Sequence, residues 1–207
     1  MTVPELSPTG EPPAPAERPL RAHALRNRER LLATARDAFS VADDTVPLES
    51  IARDAGVGIG TLYRHFPTRE ALVEAVYAAE LDALVASAPT LLEDLPPEAA
   101  LRAWMDGYAQ FFATKRGMKE TLRAGVASGR IATPATRERV TASIGTILAA
   151  GVHAGSFRPD VEAEDVTVLL LGVFLSSTVN SSPADAADRT GRLLDLIIDA
   201  LRPQPSS

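Results

Sequence analysis

The chain has no cysteine among its 207 residues, which excludes structural disulfides, thiolate catalysis and cysteine-ligated metals. Histidine is scarce as well: the three residues His23, His65 and His153 are scattered, and their spacing predicts neither a metal site nor a partnered catalytic base. Aromatic residues make up only 5% of the chain, whereas hydrophobic residues make up 45%, enough for a buried core. We therefore expect a folded protein with no metal and no cofactor.

Long hydrophobic runs are missing too. The longest, over residues 166–179, has 14 residues, which is too short to span a bilayer. The first 19 residues are rich in proline, carry acidic side chains and contain no apolar core, so they resemble neither a signal peptide nor a membrane anchor. We expect residues 1–19 to form a disordered tail and the protein to be cytoplasmic, with no membrane partner.

Charge of one sign is unevenly distributed along the chain. Residues 18–36 carry six arginines against one glutamate, a balance of +5, although the whole chain has a net charge of −6. Residues 70–207 carry 12 basic and 18 acidic side chains, a balance of −6. This asymmetry favours a basic end that meets a polyanion, but a solvated, arginine-rich helix face is an alternative.

The hydrophobic pattern is helical nearly throughout, and the alternation typical of strands is scarce. Proline and glycine separate the helical segments. We predict an all-α fold of about nine helices, with approximate ranges 21–40, 48–55, 59–65, 68–87, 97–114, 118–128, 135–154, 161–179 and 184–201.

Three glycines lie within five residues, at Gly56, Gly58 and Gly60. Such glycines often let backbone N–H groups approach a phosphate, either of a nucleotide cofactor or of a nucleic acid. A dinucleotide fingerprint would follow a strand, and a phosphate-binding loop would need Gly-Lys before a hydroxyl residue. Here a charged amphipathic helix comes first, and Gly60 is followed by Thr61 and Leu62. The pattern therefore disfavours a nucleotide cofactor.

Two short helices joined by a glycine turn, after a longer helix, are instead typical of a helix-turn-helix unit. Gly58 and Gly60 keep the start of the second short helix thin enough to approach a DNA duplex. Other polar side chains on this helix, and one at the start of the long helix after it, offer hydroxyl or N–H donors that suit phosphate oxygens, and the basic first helix adds two arginines. These predicted phosphate contacts are Thr61, Tyr63, His65, Arg69, Arg26 and Arg28.

Two side chains remain as candidates to reach base edges in the major groove, Ile59 and Arg64. Arginine pairs best with guanine, whereas an apolar residue can only meet a thymine methyl group. Ile59 could alternatively be a hydrophobic staple at the helix start, and Arg64 could alternatively lie along the phosphate backbone. Arg69 could alternatively be a plain cation on a helix surface.

The stretch "LESIARDAGVGIGTLYRHFPTREALVEAVY" resembles the DNA-binding domain of the TetR (tetracycline-repressor) family of bacterial transcription regulators. The block AGV-x-x-GTLY-x-HF-x-x-[KR]-x-x-L carries the resemblance, which extends over about residues 21–77. Ile59 departs from the polar residue common there, and Glu49 would repel phosphate, so we expect Glu49 to serve the start of its helix instead. The resemblance implies a helix-turn-helix head over 20–67, a larger helical ligand-binding and dimerisation domain over 68–203, and a short tail over 204–207.

From the sequence alone, the apolar last two helices fit either a dimer interface or the buried core of a monomer. Members of this family act as dimers on near-palindromic DNA operators, so the resemblance implies a homodimer, with the last two helices as its interface. It also implies a ligand-responsive regulator, in most cases a repressor. One predicted helix face concentrates apolar and aromatic side chains where the family binds effectors, which favours a fairly apolar small molecule. That face comprises Trp104, Met105, Tyr108, Phe111 and Phe112; a plain hydrophobic core is the alternative.

Two rival functions fit less well. An all-α enzyme would need a nucleophile with a base, or a metal site, and the acidic run over 160–165 has no histidine beside it, which is typical of helix-start residues. A helical protein-interaction module would leave the basic first helix and the Thr-Leu-Tyr-x-His-Phe block unexplained.

Overall fold

The computed structural model describes residues 17–41, 46–114, 118, 121, 125, 127, 129, 133–176 and 183–203. Within these residues all regular structure is helical, which confirms the predicted all-α class. The eight helices are α1 (Glu17–Val41), α2 (Leu48–Asp54), α3 (Ile59–His65), α4 (Arg69–Asp94), α5 (Pro97–Thr114), α6 (Pro134–His153), α7 (Ala163–Ser176) and α8 (Pro183–Leu201). None of these helices is both long and apolar enough to cross a membrane. Most of the predicted helix over 118–128, residues 1–16 and the tail over 204–207 lie outside the described residues.

The first helix begins earlier than its periodicity predicts. α1 starts at Glu17, four residues before the expected start, and includes Pro19 as its third residue. Proline is tolerated there because the N–H groups of a first helical turn have no acceptor within the helix. The predicted tail over 1–19 is therefore too long at its C-terminal end.

The predicted end of α4 near Ser87 is also wrong, because the helix continues through Pro89 to Asp94. Proline inside a helix costs about 3 kcal/mol. Burial of Leu84 and Ala88 on this helix offsets that cost, at about 1.5–3 kcal/mol for a large apolar side chain. The predicted start is confirmed: the Thr68 hydroxyl accepts a hydrogen bond from the Ala71 N–H at 3.2 Å.

The first three helices share one small core. The side chains of Leu31, Phe39, Ile51 and Leu62 are 0–1% exposed, and Phe66 closes the end of α3. Gly56 has φ +67°, a left-handed conformation that favours glycine, and it turns the chain from α2 towards α3. α2 and α3 are thereby held as a pair against α1.

The remaining helices form the body. α4 packs against α5 and α6, while α7 packs against α6 and α8. Ion pairs join distant segments on its surface: Arg102 to Asp195 at 2.6 Å and Arg139 to Asp82 at 2.7 Å. α1 contacts both α4 and α5, so the head rests directly on the body.

Candidate nucleic-acid interface

The start of α3 is open on its outer side. A methyl group placed on Gly58 or on Gly60 would have no neighbour within 4 Å, and neither residue has a positive φ. The packing and the backbone conformation of this chain therefore do not require glycine at either position. Position 56, by contrast, requires glycine, because the turn there has a positive φ.

The outer face of α3 carries both side chains predicted to read bases and one predicted phosphate contact, Tyr63. Ile59 is 38% exposed, Tyr63 is 44% exposed and Arg64 is exposed. Residues four apart lie on the same helix face, so Ile59 stands above Tyr63 and Gly60 above Arg64. The structure thus brings these four residues together, whereas Leu62 faces the core with 0% exposure.

Thr61 and His65 occupy the margins of that face, where both are half-buried. The His65 ring lies 6.3 Å from the Phe66 ring, between centroids, at a tilted angle. Their polar groups flank the exposed face rather than forming its centre.

Two of the predicted phosphate contacts are engaged within the chain. The Arg28 guanidinium lies 5.2 Å above the centre of the Phe66 ring. The Arg69 guanidinium donates a 2.5 Å hydrogen bond to the Val46 carbonyl and lies 5.6 Å from the centre of the Phe39 ring. Contact of either arginine with DNA stays a prediction.

Arg26 is exposed on α1, beside a row of hydrogen-bonded polar side chains that the sequence did not predict. Asn27 is only 8% exposed; its amide contacts His23 Nδ1 at 3.3 Å, and its Oδ1 accepts from Arg30 at 2.6 Å. The spacing of these residues by three and four positions is the signal that could have revealed them. Arg30 therefore joins Arg26 on the basic side of α1.

The predicted effector-binding side chains do form one cluster. Trp104 and Met105 are 0% exposed, and Tyr108 and Phe111 are nearly as buried, while Phe112 is half-buried. The Tyr108 ring lies 5.3–6.0 Å from the rings of Trp104, Phe111, Phe112 and Phe174, between centroids. Sequence analysis missed Phe174, which lies in the apolar run of α7, and Tyr77 on α4, whose ring is 5.2 Å from that of Phe111.

Burial controls the chemistry of this cluster. Loss of contact with water raises the pKa of the Tyr108 phenol to about 12, so the group stays protonated beyond the pH at which an exposed tyrosine ionises. The Trp104 indole N–H donates to the Leu84 carbonyl of α4 at 3.0 Å. The cluster is thus apolar, with its ring N–H tied to the backbone of the long helix.

α7 and α8 both carry exposed apolar side chains. α7 buries Val166, Leu170 and Phe174 against the body, but other apolar side chains on these helices remain in contact with solvent. They are Val168, Leu169, Leu175 and Leu196, each between 51% and 64% exposed. We call these four residues the α7–α8 patch.

The acidic run before α7 behaves as expected for a helix start. Glu164 and Asp165 lie in the first turn, where carboxylates stabilise the helix dipole. Glu164 pairs with Arg137 of α6, which lowers the pKa of its carboxyl. Among the residues that the structure describes, no group of three or more metal-ligating side chains comes together. Glu49 likewise lies in the first turn of α2.

Comparison with protein families gives two matches. The family described as "Bacterial regulatory proteins, tetR family" matches residues 31–76. The family described as "Transcriptional regulator SbtR-like, C-terminal domain" matches residues 96–203, more than half of the chain.

Solved structures with the same fold include a TetR transcriptional regulator from Streptomyces coelicolor. It is 43% identical, with a TM-score of 0.75, and the match covers 86% of this chain and 99% of that one. A TetR transcription regulatory protein from Mycobacterium vanbaalenii is 36% identical, with a TM-score of 0.68 and coverage of 89% and 99%.

Curated relatives match over shorter segments. An HTH-type transcriptional regulator of Staphylococcus aureus (strain MRSA252) is 35% identical over 68 residues, 32% of this chain and 36% of the relative. Another, from strain USA300, is 26% identical over 108 residues, 51% of this chain and 58% of the relative. The chain thus spans between a third and three fifths of the length of these relatives.

The open start of α3, the glycine turn before it and the family matches over both head and body agree with one another. The chain belongs to the TetR family of bacterial transcriptional regulators, which bind DNA through a helix-turn-helix.

Proposed function

We propose that this regulator is a cytoplasmic, ligand-responsive repressor that binds a near-palindromic operator as a homodimer. The segment from the start of α1 at Glu17 to residue 67 forms the DNA-binding domain, and residues 68–203 form the domain for ligand binding and dimerisation. Double-stranded DNA, a second copy of the chain and a fairly apolar small molecule are its partners.

The observation that carries the proposal is the space beside Gly58 and Gly60. Nothing in the chain fills it, and the backbone there does not need glycine. Gly58 is the N-cap of α3, where glycine is well tolerated, whereas Gly60 lies inside the helix, where glycine costs stability. Close approach of an outside backbone supplies a reason for the glycine at position 60. A DNA duplex fits, because a helix entering the major groove presents its first residues to the bases.

Contacts divide by chemistry. Thr61, Tyr63 and His65, together with the arginines of α1, bind phosphate oxygens and position the head. Arg64 donates to guanine O6 and N7, and Ile59 packs against a thymine methyl group. Ile59 and Arg64 are both exposed on the outer side of α3, as side chains that contact bases must be.

The homodimer uses the α7–α8 patch. Four exposed large aliphatic side chains on neighbouring helices are an apolar surface of the kind that subunit interfaces bury. A two-fold axis through this patch presents two heads to one duplex, which matches the two half-sites of a palindrome.

The effector enters the aromatic cluster around Tyr108. In the structure these rings pack against one another, so a ligand that enters between them has to displace one of them. Displacement disturbs α4, because Trp104 is bonded to the Leu84 carbonyl of that helix. A ligand releases the operator only if it binds the DNA-free form more tightly than the DNA-bound form.

Selection of binding sites from random DNA tests the proposal, followed by footprinting and sedimentation of the complex. We expect two symmetric half-sites protected by two chains. Arg64→Ala should cost about 1–3 kcal/mol per half-site and relax the preference at one base position, whereas Tyr63→Phe should weaken all sequences alike. A protected region without two-fold symmetry, or one chain per operator, contradicts the proposal.

Transcription from the selected operator tests repression, and a thermal-shift screen of small molecules tests the response to ligand. We expect transcription to rise when the protein is absent and when a stabilising apolar ligand is added. Stabilising ligands that all leave operator affinity unchanged rule out the switch.

A further inference from the structure

We propose that Arg69 is a positioning residue of the DNA-reading head, and that it acts through Val46 and Phe39 instead of through a DNA phosphate. The inference rests on the proposed binding of an operator. It concerns the one predicted phosphate contact that does not belong to α1, α3 or the turn between α2 and α3.

The Arg69 side chain joins three parts of the head and body. Arg69 is the first residue of α4, and its Nη1 donates at 2.5 Å to the carbonyl of Val46, which directly precedes the N-cap Pro47 of α2. The same guanidinium lies 5.6 Å from the centre of the Phe39 ring, and Phe39 is the buried aromatic residue near the end of α1.

The positive charge of Arg69 lies at the end of α4 where the helix dipole disfavours a cation. The N-terminal end of a helix carries partial positive charge, so a cation at the first residue of α4 is unfavourable there. The Val46 carbonyl and the face of the Phe39 ring both carry partial negative charge and offset that cost. The position of the guanidinium is therefore explained by contacts inside the protein.

The hydrogen bond to Val46 controls where α2 begins relative to α4. α2 and α3 move together, because they pack against each other and both contribute buried side chains to the core that contains Phe39. Fixing Val46 therefore fixes the direction in which α3 presents Ile59 and Arg64. A loss of this anchor leaves the phosphate contacts intact but misaligns the two heads of a dimer.

Substitution by lysine separates the two roles. Lysine keeps the charge and binds phosphate as a point charge, but it cannot form the planar contact with Phe39 while donating to Val46. Positioning by Arg69 thus predicts that Arg69→Lys and Arg69→Ala are similarly defective. A phosphate contact predicts that Arg69→Lys retains binding.

The experiment compares full-length wild-type protein, Arg69→Lys and Arg69→Ala. Their affinities for a selected operator and for unrelated DNA are measured at several salt concentrations, at a temperature below the melting temperature of each variant. We expect operator affinity to fall about tenfold per half-site in both variants, the loss of an interaction between a cation and a ring together with a hydrogen bond. The affinity for unrelated DNA and the salt slope should stay at wild-type values. Arg26→Ala is the matched control, because an exposed arginine that contacts phosphate should lower the slope by about one unit per half-site.

Three results overturn the role. A salt slope reduced as in Arg26→Ala, or restored affinity in Arg69→Lys, assigns Arg69 to a phosphate. Unchanged operator affinity in a variant with a lower melting temperature makes Arg69 a residue for stability alone. A wild-type protein that selects no DNA sequence refutes the proposed function itself, whereas wild-type binding with an unaffected Arg69→Lys refutes only this inference.

Discussion

At the scale of single residues, two glycines of the helix-turn-helix have different roles: Gly56 is needed for the fold, whereas we expect Gly60 to be needed for DNA binding. Gly60→Ala should leave the fold intact and raise the free energy of unfolding by up to about 1 kcal/mol, since alanine favours a helix and the added methyl meets no neighbour. Operator affinity should fall about tenfold per half-site, because the methyl would stand between the backbone and the duplex. Urea unfolding and DNA titration of one preparation measure both.

Gly56→Ala is the control for that substitution. Its φ of +67° costs a residue with a side chain about 1–2 kcal/mol, so this variant should lose stability. Equal operator affinity of wild-type protein and Gly60→Ala would show that DNA does not approach the backbone closely at this position.

The sequence was sufficient to predict which residues of α3 face outward, because the period of a helix assigns Leu62 and Phe66 to the inside. It could not predict the partners of Arg28 and Arg69. Those partners, Phe66 and Val46, lie 38 and 23 positions away in the sequence, and only the packing of whole helices brings them into reach.

At the scale of helices, the end of α6 depends on the absence of a side chain at Gly151. A methyl group on Gly151 would lie 2.0 Å from Cδ2 of Phe157, and Phe157 is 2% exposed. The Gly151 carbonyl accepts from the N–H groups of Ser156 and Phe157 at 2.9 and 3.2 Å, so the ring cannot withdraw without breaking the turn.

Gly151→Ala should therefore lower the free energy of unfolding by about 1–3 kcal/mol, as overpacked cores do. Gly145→Ala on the same helix is the control, because its methyl would make an ordinary contact at 3.6 Å with Ala163 and should be neutral or slightly stabilising. Denaturant unfolding of the two variants compares them, and equal stability would show that Phe157 repacks freely.

The contact between α1 and α4 should depend on pH through Glu80. Burial raises the pKa of the Glu80 carboxyl above its usual 4.5, and the Asp37 charge adds to this, while Arg36 at 3.8 Å opposes it. The folded state then holds this proton more tightly than the unfolded state does, so the contribution of Glu80 to stability falls as pH rises through the window above 4.5. Relative to wild-type protein, Glu80→Gln should thus gain stability between about pH 4 and pH 7.

Glu164→Gln should change stability with pH in the opposite direction. Arg137 lowers the pKa of the Glu164 carboxyl, so its contribution is present above 4.5 and is lost as pH falls through the lower folded value. Urea unfolding should show a stability difference from wild type that rises with pH above 4.5 for Glu80→Gln and one that falls with pH below 4.5 for Glu164→Gln. Parallel slopes would mean that Glu80 is not held in a desolvated site.

Helix positions were largely predictable and helix ends were less so. α3 and α5 match their predicted ranges, because glycine and proline bound them on both sides. The end of α4 was missed because Pro89 is a local signal for termination, whereas Leu84 and Ala88 keep the helix intact through tertiary burial.

At the scale of the whole molecule, the α7–α8 patch should control assembly. Leu196→Glu should weaken self-association about a hundredfold or more, since burying an uncompensated carboxylate costs about 3 kcal/mol or more. Leu25→Glu is a matched control, because Leu25 is also 61% exposed but lies on α1. Sedimentation equilibrium distinguishes them, and a dimer that survives Leu196→Glu places the interface elsewhere.

Trp104 has a practical consequence. It is the single tryptophan of the chain, it is 0% exposed, and its N–H is bonded to the backbone of the helix that leads to the reading head. Its fluorescence therefore reports on one junction, between α4 and α5, without a label. Emission should be blue-shifted in the resting protein and should move to the red when water or a polar ligand reaches the indole, so the natural protein carries its own optical probe of the path from the aromatic cluster to DNA.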